Sequence, residues 1–181
     1  MKFIKTNPKY LVATSLLIII TTTFLALLIR GNFNMIALSD LGDAPRTSLV
    51  FNSGIIIKSL SDFAWLWLIF KKSEKISQKL KFITYLWPFS FLMLALIKTN
   101  ASNFLHWFFA TIYFISVLYF QYSHLKNSLT TSNEKSVDVY FIVFEILIAS
   151  LGLLSQSFYL YAESCVFLLI NIWQWNLSKH I

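Results

Sequence analysis

Twenty consecutive residues, Tyr10 to Ile29, carry no charged side chain. A helix of that length spans about 30 Å, the thickness of the hydrocarbon core of a bilayer. Five further apolar stretches follow, so the sequence predicts helices at about 10–29, 49–70, 82–97, 103–122, 139–154 and 158–175. The runs are continuous rather than alternating, which excludes the strands of a membrane barrel. The expected fold is an all-α integral membrane protein, a single domain over residues 1–181 built as a bundle of six transmembrane helices. Composition agrees. Hydrophobic residues make up 57% of the chain and charged residues 13%, against about 25% charged in an ordinary soluble domain. A water-soluble globule of this size could not hide so much apolar surface.

Local signals refine this outline. Lys2, Lys5 and Lys9 precede the first run as they would in a signal peptide. The run is long for a signal core and lacks a small-x-small cleavage site, so the first helix is expected to be retained. Pro88 is expected to kink the third helix or to lie near its start. Ser155-Gln156-Ser157 predicts a tight hairpin between the last two helices.

The loops predict the orientation. Lys71, Lys72, Lys75, Lys79 and Lys81 crowd the second connection, Lys126 and Lys135 the fourth, and Lys179 follows the last helix. With Lys2, Lys5 and Lys9, eleven of the fifteen basic residues fall on one side. Arg30, Arg46 and Lys98 fall on the other, and Lys58 lies within a helix. The positive-inside rule then puts both termini in the cytoplasm. The lysine run at 71–81 reads as a topology signal that also touches anionic lipid, not as a nucleic-acid site. No nucleic-acid partner is expected, and membrane lipid is.

Charged residues within apolar runs are costly in lipid, about 2.5–3.5 kcal/mol at the centre of the bilayer, so they are the informative ones. An inner group comprises Lys58 and Asp62, spaced i, i+4 on the second helix, together with Glu145 on the fifth. It reads either as a neutralised packing cluster or as a proton or ion relay. An outer group comprises the loop residues Asp40, Asp43 and Arg46 with Asn52, His106 and Glu163. These are expected near the face opposite the lysines, either as mutual caps and ion pairs (Arg46 with Glu163 or Asp40, for example) or as a ligand site. Asp40, Asp43, His106 and Glu163 are the right types for a metal or for acid–base chemistry, but their spacing is not diagnostic of either. No metal site or cofactor is predicted: one cysteine, Cys165, allows no thiolate cluster, and glycine-rich phosphate loops are absent. Cys165 reads as a small buried residue, and His124 and His180 as solvated.

Several of these residues share an order with a known group. Leu38-Ser39-Asp40-Leu41-Gly42, followed by Ser48 to Ile56 with Phe51-Asn52 at its centre, resembles the signature of the domain-of-unknown-function 998 family of six-helix prokaryotic membrane proteins. His106, Ala110 and Phe114 resemble that family's fourth helix, and Glu163 with Trp173 ten residues on resembles its sixth. Lys58 departs from the pattern, which usually has a small or apolar residue there. The family is similar in turn to the eukaryotic Frag/DRAM/Sfk group, which implies a lipid-facing role. It also implies a prokaryotic cytoplasmic (inner) membrane.

The leading expectation is a small integral membrane protein that binds a lipid or other amphiphile in an outer-leaflet cavity lined by Asp40, Arg46, Asn52, His106 and Glu163. The alternatives are an intramembrane lipid hydrolase or transferase using His106 and Glu163, and a proton-coupled carrier using Lys58, Asp62 and Glu145.

Overall fold

The computed structural model describes residues 7–31, 37–72, 76–98, 101–127, 132–154 and 156–179. They form seven helices: α1 (Pro8–Arg30), α2 (Ser39–Asp43), α3 (Ser48–Lys72), α4 (Gln78–Leu96), α5 (Asn103–Asn127), α6 (Ser132–Leu154) and α7 (Gln156–Leu177). There is no strand among the described residues. α1, α3, α4, α5 and α6 are long and apolar enough to cross a membrane. α7 matches them in length with 22 residues, but Glu163, Asn171 and Gln174 dilute its apolarity. The bundle is apolar on the outside: Leu17, Phe24 and Leu28 of α1 and Phe144, Leu147 and Leu151 of α6 are exposed. Lys58, Asp62 and Glu145 are instead no more than 2% exposed. This inversion of the water-soluble pattern is what a lipid solvent imposes.

Local chemistry sets the helix ends. Asn7 caps α1 by accepting the Lys9 N–H at 3.1 Å, and Pro8 occupies the first turn, where no N–H is needed. Gly31, at φ 73, ends α1 in the left-handed region and donates its N–H to the Leu27 carbonyl. Ser77 caps α4 through the Leu80 N–H. Within the helices, hydroxyls turn back onto the preceding turn, as Thr22 does to Ile18, Thr111 to Trp107 and Ser150 to Ile146. A hydroxyl between packed helices or facing lipid has no water to bond, so the i−4 carbonyl is its nearest partner. Pro88 lies inside α4, and its carbonyl accepts the Ser59 hydroxyl of α3 at 2.6 Å, a polar tie between two buried helices.

Two helices run well past their apolar stretches. α5 continues to Asn127 and α6 starts at Ser132, so most of the expected polar connection at 123–138 is helical. Hydrophobicity marks where a helix enters lipid, whereas backbone hydrogen bonding carries it on into the interface. The loop before α3 also contains the short helix α2. The expected hairpin at 155–157 begins on Ser155, which lies outside the described residues; Gln156 and Ser157 already belong to α7.

The long helices form a closed ring in the order α1, α3, α4, α5, α6, α7. α1 on α3, α3 on α4, α4 on α5 and α6 on α7 pack closely, whereas the α5–α6 and α7–α1 seams are thin. The α1–α3 contact depends on Gly54. A Cβ there would lie 2.9 Å from the Thr22 Cβ and collide with the Thr22 hydroxyl. Small residues bring helices together in lipid, where no hydrophobic force does so. Gly54→Leu is expected to cost about 1–3 kcal/mol through overpacking, measured by unfolding in detergent micelles. Unchanged stability would show that the α1–α3 approach does not rest on this glycine.

Candidate functional site

The bundle has two distinct ends. α2 and the α4–α5 connection lie at one, here the α2 end. Lys71, Lys72, Lys79, Lys81 and Lys126 lie at the other, the lysine end.

The half toward the lysine end is a polar layer wrapped in aromatic rings. Lys58 and Asp62 form an ion pair on successive turns of α3. Gln174 of α7 completes it: its Oε1 accepts from Lys58 Nζ at 3.3 Å, and its Nε2 donates to Asp62 Oδ1 at 3.0 Å. Glu145 does not join this pair. Its Oε1 accepts from Gln121 Nε2 of α5 at 2.9 Å. Asp138 of α6 links three helices, with one carboxylate oxygen 2.8 Å from His124 Nδ1 of α5 and the other accepting from Trp173 Nε1 of α7 at 2.9 Å. His124 is therefore an interhelical partner and not a solvated residue, and its side chain is 25% exposed. Trp65 donates to Ser178 at 2.7 Å and meets Trp87, Phe120 and Trp173 edge to face. His180 lies outside the described residues. Cys165, expected to be buried, is exposed on the outer face of α7. The apolar run around it gave no sign of which side faces lipid.

The half toward the α2 end holds a cavity of about 760 Å³ to which all seven helices contribute. A ring stack is among its lining side chains. Phe91 of α4 lies 5.0 Å from Tyr113 of α5 and 5.7 Å from Phe167 of α7, centroid to centroid. Tyr113 also packs against the core of the lysine half, so the cavity adjoins the polar layer. The walls are aliphatic and aromatic, with small residues, Ala149, Gly152 and Ala162, on α6 and α7. Ile20 and Phe24 of α1 with Leu168 of α7, and Trp107 of α5 with Leu153 of α6, line the cavity and are also exposed at the surface. The cavity therefore reaches both thin seams.

Polar groups collect at its mouth. Asn52, His106 and Glu163 line it, as do Ser39, Asp43 and Lys98. Glu163 lies two turns into α7, and its Oε2 accepts the Leu38 N–H at 2.7 Å, clasping the segment that enters α2. Asn52 of α3 donates to the Gly42 carbonyl at 3.3 Å, and Gly42 has no room for a Cβ, which would lie 2.6 Å from the Asn52 Oδ1. His106 lies one turn into α5. Its Nδ1 is 3.2 Å from the Ile97 carbonyl, and a carbonyl only accepts, so Nδ1 carries the proton and Nε2 is left for the cavity. His106 and Glu163 thus share a cavity while each is bonded to a different backbone segment. Asp40 and Arg46 are not among the lining residues. Asp40 accepts from the Ala37 N–H at 3.2 Å within its own helical turn, and Arg46 is exposed. Lys98 takes the place expected of Arg46 as the cation of the mouth. Its position directly after an apolar helix end was the available signal. Among the described residues no three His, Cys, Asp or Glu side chains gather as metal ligands.

This geometry defines a class: a helical, multi-pass membrane-type bundle with a charge-tied half and a hollow half. Comparisons of the chain with family models, curated proteins and solved structures give no match.

The buried pair on α3 makes a quantitative expectation. Asp62→Ala leaves Lys58 uncompensated and should cost about 3–5 kcal/mol. Replacing Lys58, Asp62 and Gln174 together by Met, Leu and Leu should restore most of that stability, since no buried polar group is then left unpaired. Unfolding in detergent would measure both. A triple variant no more stable than Asp62→Ala would contradict this assignment.

Proposed function

We propose that the protein is a six-span membrane protein that binds a lipid or other amphiphile in the cavity at its α2 end. The cavity itself carries the reading: largely apolar walls of this volume, the acidic, basic and imidazole side chains gathered toward the α2 end, and two seams that reach the surface. Ligand pockets fall in the range of roughly 300–1,000 Å³, and about 760 Å³ lies within it. A cavity of this volume suits a single chain with its head at the mouth. The thin seams supply a route from the surrounding lipid that never exposes the chain to water.

In this reading α7 is the sixth span, both termini face the cytoplasm, and the cavity opens toward the outer leaflet of a prokaryotic cytoplasmic membrane. The lysine asymmetry supports that orientation. The resemblance to the domain-of-unknown-function 998 family is part of the same proposal, since Asn52, His106 and Glu163, which carry it, all line the cavity. Binding is favoured over a relay through Lys58 and Asp62, because that pair is closed by Gln174.

Mass spectrometry of protein extracted in a mild detergent should find an amphiphile bound to the native chain. Ala110→Trp and Ala149→Trp, which fill the cavity, should lose it while keeping the fold. Native protein without bound amphiphile, or full retention by both variants, would overturn the proposal. For the orientation, a fluorescent protein fused after Ile181 should fluoresce, and a periplasm-dependent phosphatase fused there should be inactive. The opposite pair of results would reverse the topology.

A further inference from the structure

The mouth of the cavity has two walls of opposite character. On the α4–α5 side, His106 is fixed by the Ile97 carbonyl, and Lys98 is the next residue along the chain. That wall offers an ammonium and the free Nε2 of an imidazole. On the α7 side stands Glu163, with Oε2 committed to the Leu38 N–H and Oε1 left over. Asp43, at the end of α2, also lines the mouth. In the ring, α7 neighbours α6 and α1, so its wall faces the α4–α5 wall across the opening.

This arrangement selects among amphiphile heads. A purely anionic head would gain from Lys98 but lie against the Glu163 carboxylate. A purely cationic head would meet the reverse. A head carrying both charges on neighbouring groups can place its anion at Lys98 and its cation at Glu163, with an N–H of that cation or a hydroxyl donating to the His106 Nε2, which can only accept. The cation also has to donate hydrogen bonds, because the atom offered to it is a carboxylate oxygen. A primary ammonium has three N–H donors, whereas a quaternary ammonium has none and relies on aromatic faces. Lys98 is a point charge on a flexible stem, which suits the tetrahedral oxygens of a phosphate.

We infer that the cavity binds a single-chain amphiphile with a zwitterionic phosphate–primary amine head of the phosphoethanolamine type. The inference rests on the amphiphile reading above and specifies its ligand.

The test is binding to the purified full chain in micelles, followed by tryptophan fluorescence. The ligands are lysophosphatidylethanolamine, lysophosphatidylglycerol and lysophosphatidylcholine of one chain length, with free phosphoethanolamine as a control. The ethanolamine lipid should bind about tenfold more tightly than either of the others, a difference near 1.4 kcal/mol. Glu163→Gln keeps an oxygen for the Leu38 N–H and should abolish the advantage over the glycerol lipid. Lys98→Gln, at an exposed position, should weaken the ethanolamine and glycerol lipids alike. Equal binding of all three lysolipids, a preference for the glycerol or choline head, or an advantage that survives in both variants overturns the head-group assignment and leaves amphiphile binding standing. Failure of every lysolipid to bind, or free phosphoethanolamine binding as tightly as the lipid, overturns both.

Discussion

The Lys58–Asp62–Gln174 contact organises the rest of the bundle. Two opposite charges lie deep in an apolar structure, and neither can be left to lipid. Pairing on adjacent turns of α3 meets most of that demand. One amide from α7 adds a bond to each partner, accepting from Lys58 Nζ and donating to the same Asp62 Oδ1 that Lys58 meets, which fixes that helix against α3 at one height and one rotation. α6 packs closely on α7 and is carried with it. Gln121 with Glu145, His124 with Asp138, and Trp173 with Asp138 then close the α5–α6 seam and tie α7 across it toward the lysine end.

The consequence falls on the opposite half. There the α6–α7 pair is held to the remaining helices by weaker means, chiefly the Glu163 clasp on Leu38. Small residues on α6 and α7 replace the tryptophans of the lysine half. Packing is thin at the same two seams, and the space left between the six long helices is the cavity. Stability and ligand capacity are thus placed at opposite ends of the same helices. The arrangement lets one half stay fixed while the other accommodates an occupant.

The sequence revealed the helices because lipid enforces one readable rule, long uninterrupted apolarity. It revealed less about their ends: α5 and α6 extend through polar residues whose helicity rests on backbone bonds and on the His124–Asp138 tie. The i, i+4 spacing made the Lys58–Asp62 pair legible. Gln174 and Gln121 were not, because a scan for misplaced charge passes over neutral amides, although an amide in lipid needs a partner just as surely. At the mouth, Asn52, His106 and Glu163 could be singled out as polar residues near helix ends. Whether Arg46 or Lys98 supplied the cation depended on the direction in which the α2 segment folds. That direction is set by Glu163, 125 residues away from Leu38 in the chain, a pairing that no local pattern encodes.

The most direct test of this division is hydrogen–deuterium exchange of the full chain in lipid nanodiscs, with and without added lysophosphatidylethanolamine. Amides of α3 around 62–70 and of α7 around 170–177 should be strongly protected and unaffected by the lipid. Those of α5 around 106–114 and of α7 around 162–168 should exchange faster without it and slow markedly when it is added. Uniform protection along α7, or a lipid response at the lysine end, would contradict the account.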